Sequence, residues 1–559
     1  MNNTALATTA PTPLSVKRPG TLSVLAVSLA VLLAVPVVVV VLNVFVPSEG
    51  TWSHLAATVL PEYIVNSLGL MLGVAYGVIT IGITTAWLTT MCRFPGRRLL
   101  EWALLLPMAV PAYVMAYAYT DFLQFAGPVQ SLLREWTGWG PGDYWFPDVR
   151  SLWGAVAMLS FVLYPYVYLL ARAAFLEQSD SMLEVARGSG YGPWRSFFRV
   201  ALPLARPGIV AGTALALMET LADFGTVAYF GVHTFTTGIY RAWFSLGDHV
   251  AAAQLSATLL GFVFAVLLIE RLSRGRASFH NTVQRKRLDY PYRMRGFKAL
   301  IALIACAIPL MLGFFLPAGI LLHMAVTSGD AQFGAHYVDL TFNTMTLAGV
   351  TAGLAVVLAL LVGYAARSTS SRLVSAANRI AGLGYAVPGA VIAVGVLIPV
   401  TRLDHAMAAA IESMTGASPG LLLTGGIAAL VYAYLVRFFA LSLQTIEAGL
   451  TKITPSMDCA ARSLGLGPAS TLARVHAPLL WRSALIAGLL VFVDVMKELP
   501  ATFVMRPFNF DTLAVQAFNL ASDERLTEAS TAALTIVAVG LVPLIVLSRM
   551  LLRPRNGST

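Results

Sequence analysis

Apolar residues fill this chain in runs of about 20, parted by shorter polar stretches, and each run is long enough as a helix to cross a hydrocarbon layer about 30 Å thick. Twelve runs predict twelve membrane helices. In the first half they fall near 22–46, 65–91, 99–120, 151–175, 204–224 and 253–271. In the second half they fall near 299–324, 344–366, 379–400, 421–444, 481–500 and 530–551. In lipid every backbone polar group needs an internal partner, which helices supply. The expected fold class is an all-α polytopic membrane protein. Lys17 and Arg18 precede the first run, which is too long for a signal-peptide core and is closed by no clean small-residue cleavage site. It reads as a retained helix.

Composition agrees. The chain has 559 residues, 57% hydrophobic and 11% charged, where a soluble protein carries roughly 25% charged residues. Cys92, Cys306 and Cys459 form no disulfide framework or metal-ligand spacing and read as incidental thiols.

The net charge of +10 is distributed with a purpose. With the N-terminus inside, seven cytoplasm-facing segments take thirty of the 37 basic residues, including Arg93, Arg97 and Arg98. External loops take six: Arg134, Arg150, Arg241, Arg402, Arg506 and Arg525. One, Lys497, lies inside a span. This is a positive-inside signature, and no nucleic-acid partner is implied. The expected organisation is a cytoplasmic tail at 1–21, a first lobe at 22–272, a basic cytoplasmic linker at 273–298, a second lobe at 299–552 and a cytoplasmic tail at 553–559.

The halves repeat. Residues 181–204 and 456–479 share eleven identities in twenty-four ungapped positions, among them Gly190 with Gly465 and Pro203 with Pro478. At an offset of 277, Asn66 matches Asn343 and Ala109-Val110-Pro111 matches Ala386-Val387-Pro388. Six spans per unit keep both copies in one orientation, so the repeats are parallel and related by a pseudo-twofold axis along the membrane normal.

The repeat peaks in a polar segment after the fourth span of each half, 177–203 and 452–478. The first copy reads Glu184-Val185-Ala186, three residues, Gly190, nine residues, then Val200-Ala201-Leu202-Pro203. The second reads Cys459-Ala460-Ala461, three residues, Gly465, nine residues, then Val475-His476-Ala477-Pro478. Small alanines allow close packing of a short helix against a partner, Gly190 and Gly465 can end it at positive φ, and Pro203 and Pro478 suit the first turn of the next span. The pattern resembles the Glu-Ala-Ala coupling loop of ABC importer permeases. The resemblance implies that Glu184, Ala186, Gly190, Pro203, Cys459, Ala461, Gly465 and Pro478 dock on ATPase subunits. The second copy departs from it, with Cys459 in place of Glu and Ala477 in place of Leu. The sequence has no phosphate-binding loop, so this chain is not expected to be an enzyme or to hold a cofactor, and ATP would be used by partners.

The span after each such segment carries acids: Glu219 and Asp223 in the first half, Asp494 and Glu498 at the same 275 offset, with Lys497 extra. Each buried charge costs about 2.5–3.5 kcal/mol at a span centre, so they must avoid lipid. Two roles stand open: structural ion pairing, or a path lined by carboxylates that suits a hard cation. With Lys497 included they sum to −3. His233, His249 and His405 read as plain external-loop residues.

Residues Glu219 to Thr226, Asp494 to Thr502, Arg506 to Leu513 and Asn519 to Arg525 resemble the fused permeases of ferric-iron importers. That implies a type I ABC importer in a bacterial inner membrane, with both termini cytoplasmic. A periplasmic or surface-tethered binding protein would deliver Fe³⁺ and a homodimeric ATPase would power transport. Permeases for sulfate, molybdate, polyamines, thiamine and aminoethylphosphonate share parts of this pattern. An ion-coupled secondary transporter would instead predict inverted repeats, and a scaffold would need neither buried charge nor a duplicated cytoplasmic motif.

Overall fold

A computed structural model describes residues 21–47, 50–177, 188, 190–274, 292–327, 334–369 and 371–552. Glu184, Ala186, most of the first coupling segment, the linker from 275 to 291 and both terminal tails lie outside these residues.

Helices make up nearly all of the described chain. Eleven are long and apolar enough to span a membrane: Thr21–Phe45, Leu60–Met91, Leu152–Leu176, Trp194–Ala222, His249–Ser273, Phe297–Thr327, Ala335–Ser368, Gly389–Thr415, Ala428–Leu450, Pro468–Met496 and Leu526–Val546. The pair Arg97–Ala109 and Ala112–Thr137, bent by 91°, brings the number to twelve. In chain order, with the bent pair third, these are spans 1 to 12.

The bend at the third span is a departure from the straight helix expected at 99–120. Pro111 takes φ −60 and ψ 142, because the residue before a helix restart adopts extended backbone and proline has no N–H to continue the ladder. Pro388, its repeat partner, does the same with φ −58 and ψ 142. There the amphipathic helix Arg372–Ala381 is separate, and span 9 starts only at Gly389.

Spans 4 and 10 are the most buried of the set, the centre of each lobe. Span 2 lies against span 4 along glycines. A Cβ on Gly77 would come 2.2 Å from Ser160 Oγ, and one on Gly73 would come 2.7 Å from a methyl of Val156. Such close backbone approach is how membrane helices associate where lipid gives no hydrophobic drive. The duplication is visible in hydrogen bonds: Asn66 Nδ2 donates to the carbonyl of His233 at 2.9 Å, and Asn343 Nδ2 to that of Asp511 at 3.2 Å.

The lobes interlock. Span 1 packs on spans 8 and 9 of the second lobe and on Arg372–Ala381. Tyr432 Oη donates to the Leu32 carbonyl at 2.5 Å, and Pro36 abuts Gly395. Span 7 reciprocates by packing on spans 2 and 3 of the first lobe, with Tyr119 Oη donating to the Leu312 carbonyl at 2.6 Å. The far end of the linker is also fixed: Tyr292–Arg293 pairs in parallel with Cys92–Arg93 at the end of span 2.

Candidate translocation site

A cavity of about 120 Å³ lies between the lobes. It is lined by Val110 to Tyr113 at the bend of span 3, by Val162 and Tyr166 of span 4, by Arg437 and Phe438 of span 10, and by Tyr385. All five acids and bases singled out in the sequence reach it: Glu219, Asp223, Asp494, Lys497 and Glu498. Arg437 sits nine residues into the helix Ala428–Leu450, about 14 Å along it at 1.5 Å per residue, near mid-span.

Asp223 and Glu498 cap helices. Span 5 ends at Ala222, Asp223 turns to ψ 131, and a short helix Gly225–Tyr229 follows. Its first N–H groups have no intrahelical acceptors. Asp223 Oδ1 accepts from the amides of Thr226 and Val227, both at 3.1 Å, and Oδ2 from Thr226 Oγ1 at 2.9 Å. Glu498 repeats this before the helix Pro500–Met505: Oε1 accepts from the Ala501 amide at 2.9 Å, while Oε2 accepts from the Thr502 amide at 3.1 Å and Thr502 Oγ1 at 2.8 Å. A carboxylate there is favoured by both the hydrogen bonds and the helix dipole.

The remaining charges pair. Lys497 Nζ lies 2.7 Å from Asp494 Oδ1. Arg437 joins the lobes: Nη1 is 3.3 Å from Glu498 Oε1 and Nη2 is 3.7 Å from Glu219 Oε2. Its side chain is 8% exposed and that of Glu498 is 2% exposed, so in this medium each needs the other. Arg437 corrects the sequence reading, which placed it among the cytoplasmic basic residues although it falls inside the run 421–444. With it, four carboxylates face two cations and the cluster sums to −2, not −3. A free ring of carboxylate ligands is not present. Among the described residues no group of three His, Cys, Asp or Glu is arranged to hold a metal ion.

The second coupling segment forms the short helix Pro455–Ser463. Gly465 takes φ 78 and Gly190 takes φ 77, the left-handed backbone that ends a helix and favours glycine. Ala461 is buried. Met457, Cys459, Ala460 and Leu464 face outward. Asp458 anchors the helix: Oδ2 accepts from Arg367 Nε at 3.0 Å and Nη2 at 2.9 Å, and Oδ1 lies 2.6 Å from Nε2 of the buried His476. Burial pushes the Asp458 carboxyl up, but the Arg367 and His476 hydrogen bonds outweigh it and hold it below the usual range.

Pro203 and Pro478 sit in the first turn of the α-helices Leu202–Ala222 and Ala477–Met496, where the sequence placed them. Each of these helices continues a helical stretch that begins at Pro193 or Pro468, through a π-helical turn at Phe197–Ala201 or Leu472–His476 that ends two residues before the proline. The wider turn accommodates the proline ring where a regular ladder would clash. His233 is more than a plain loop residue, since its Nδ1 lies 2.9 Å from Glu62 Oε1.

Residues 78–277 match the model of the family described as "Binding-protein-dependent transport system inner membrane component". The chain is 24% identical to the Fe(3+)-transport system permease protein FbpB 2 of Haemophilus influenzae, over 88% of this chain and 90% of that protein. It is 32% identical to the molybdenum transport system permease protein ModB of Escherichia coli, over 38% of this chain and 92% of that one. The sulfate transport system permease protein CysT of Escherichia coli is 30% identical over 26% of this chain and half of its own length. ModB thus matches a length just short of one lobe, whereas the match to FbpB 2 is long enough for both. The chain belongs to the family of binding-protein-dependent transport system inner membrane components.

Proposed function

We propose that this chain forms the translocation path of an ATP-driven importer whose substrate is ferric iron. An extracytoplasmic binding protein delivers the substrate, and a homodimeric ATPase grips the coupling segments at 177–203 and 452–478. In this reading the coupling segments, the basic linker and both termini face the cytoplasm of a bacterial inner membrane. The chain binds no cofactor, and ATP is consumed by the partners. The outward residues Met457, Cys459 and Leu464 form the second lobe's grip. Asp458 ties that grip to span 8 through Arg367, so a push on the helix moves a span.

One observation carries the substrate reading: the charged cavity lies where the lobes meet and keeps a net negative charge. Likeness to FbpB 2 over both lobes supports iron among the cations. An oxyanion reading draws on the ModB and CysT likenesses and on Arg437 and Lys497. It is weaker, because carboxylates already neutralise both cations. The test has two parts. A tagged chain should copurify with an ATPase, and a deletion strain should lose ⁵⁵Fe uptake while keeping molybdate and sulfate uptake. No ATPase across several detergents would defeat the importer assignment. Normal ⁵⁵Fe uptake in the deletion strain would defeat iron.

A further inference from the structure

The four acids of the cavity obey the internal twofold, but its cations do not. At the 275 offset, Arg437 corresponds to Val162 and Lys497 to Ala222. Gly389 corresponds to Ala112 at the 277 offset. Val162, Ala222 and Ala112 all line the same cavity. The first lobe is therefore apolar at the three places where the second lobe brings positive charge or makes room for it. The glycine is part of this: a Cβ on Gly389 would lie 2.5 Å from Arg437 Nη1 and 2.6 Å from Glu498 Oε1. A methyl at 389 would force the Arg437–Glu498 pair to shift, and the lobe without the guanidinium carries alanine there.

Arg437 reaches across the path to Glu219 of the first lobe while also contacting Glu498 of its own. Its Nε is buried and makes no hydrogen bond, so the side chain is held by these two carboxylates and not by a full set of structural partners. We infer that Arg437 is a tethered stand-in for the transported cation, a latch that joins the lobes across the path until substrate replaces it at Glu219. This rests on the cationic-substrate reading above. Separation of the lobes breaks the Arg437–Glu219 contact first, since it is the longer and more exposed of the two. That frees one carboxylate for an incoming cation while Glu498 stays neutralised.

The test uses the whole complex in proteoliposomes, with its ATPase and with binding protein loaded with ⁵⁵Fe³⁺. Glu219→Gln removes only the first-lobe side of the latch and leaves Glu498 paired, so it keeps the fold. It should raise ATP hydrolysis without binding protein roughly tenfold, and Arg437→Gln should do the same. Arg437→Lys should restore the low basal rate. A wild-type basal rate in Glu219→Gln would overturn the latch and leave Arg437 as a partner of Glu498 alone. Loss of uptake in Arg437→Gln at an unchanged basal rate would also overturn it and point to anion recognition. A wild-type complex that moves no ⁵⁵Fe would sink iron separately, because the basal rate is read without substrate.

Discussion

Gly389→Ala isolates the fit between Arg437 and its surroundings. The added methyl would stand 2.5 Å from Arg437 Nη1, 2.6 Å from Glu498 Oε1 and 3.3 Å from Cβ of Pro500. Carbon contacts settle near 3.5 Å, so about 1 Å must open on the charged side. Overpacking of this kind costs about 1–3 kcal/mol. Arg437→Val alone strands Glu498 and should cost about 3–5 kcal/mol. Combining the two restores the first lobe's Ala112 and Val162 pattern. The collision with the guanidinium disappears and that with Glu498 stays, so the double loss should fall short of the sum by about 1 kcal/mol. Thermal unfolding of the detergent-purified chain, followed with a thiol-reactive dye, measures this, since Cys92 and Cys306 are buried and Cys459 sets the baseline. For a chain of this length Gly389→Ala should lower the midpoint by about 1–3 °C. An unchanged midpoint, or full additivity in the double variant, would refute the idea that this glycine exists to admit the guanidinium.

Other expectations follow from the same geometry. Gly77→Leu should abolish monodisperse protein on size exclusion, because even a methyl there meets Ser160 Oγ at 2.2 Å; a normal yield would contradict the close packing of spans 2 and 4. Maleimide should label Cys459 alone in the folded chain, since Cys306 is buried and burial pushes the Cys92 thiol up to about 12 against the opposing effect of Arg97. An impermeant reagent should reach Cys459 only from the cytoplasmic face, and labelling from outside would reverse the proposed orientation. The Asp458 carboxyl is depressed in the folded state, so its support of the helix Pro455–Ser463 is full above about pH 4 and is lost as pH falls through the lower folded value. Asp458→Asn should therefore make this segment protease-sensitive at neutral pH, where the parent resists, and equal resistance would count against the anchor.

Much of this was legible in the sequence for physical reasons. Spans are long apolar runs, and the environment that demands them is uniform, so all twelve runs recur as helical segments, although the third is bent and the ninth starts at Gly389. Asn66 and Asn343 or Gly190 and Gly465 could be paired because identical residues at a constant offset do identical work. What escaped depends on geometry between distant segments. Arg437 lies inside an apolar run, which was a sufficient signal, but counting basic residues by loop concealed it. Asp223 and Glu498 were seen as buried acids. The helix restarts that they cap become visible only once the backbone breaks at 223 and 498 are known. The π-helical turns before Pro203 and Pro478 leave no mark in composition, so the helical stretch reaching back to Pro193 and Pro468 was not legible.

The exchange of spans 1 and 7 between lobes has a consequence for the polypeptide's continuity. Each half grips the other with an arm that begins before its own bundle, so the tether around 275–291 is not what keeps the halves together. A chain severed in that stretch should reassemble when its two pieces are made in the same cell. The embrace also limits how the halves can move: they can hinge about their shared seam, yet neither can drift away without pulling a whole helix out of its neighbour.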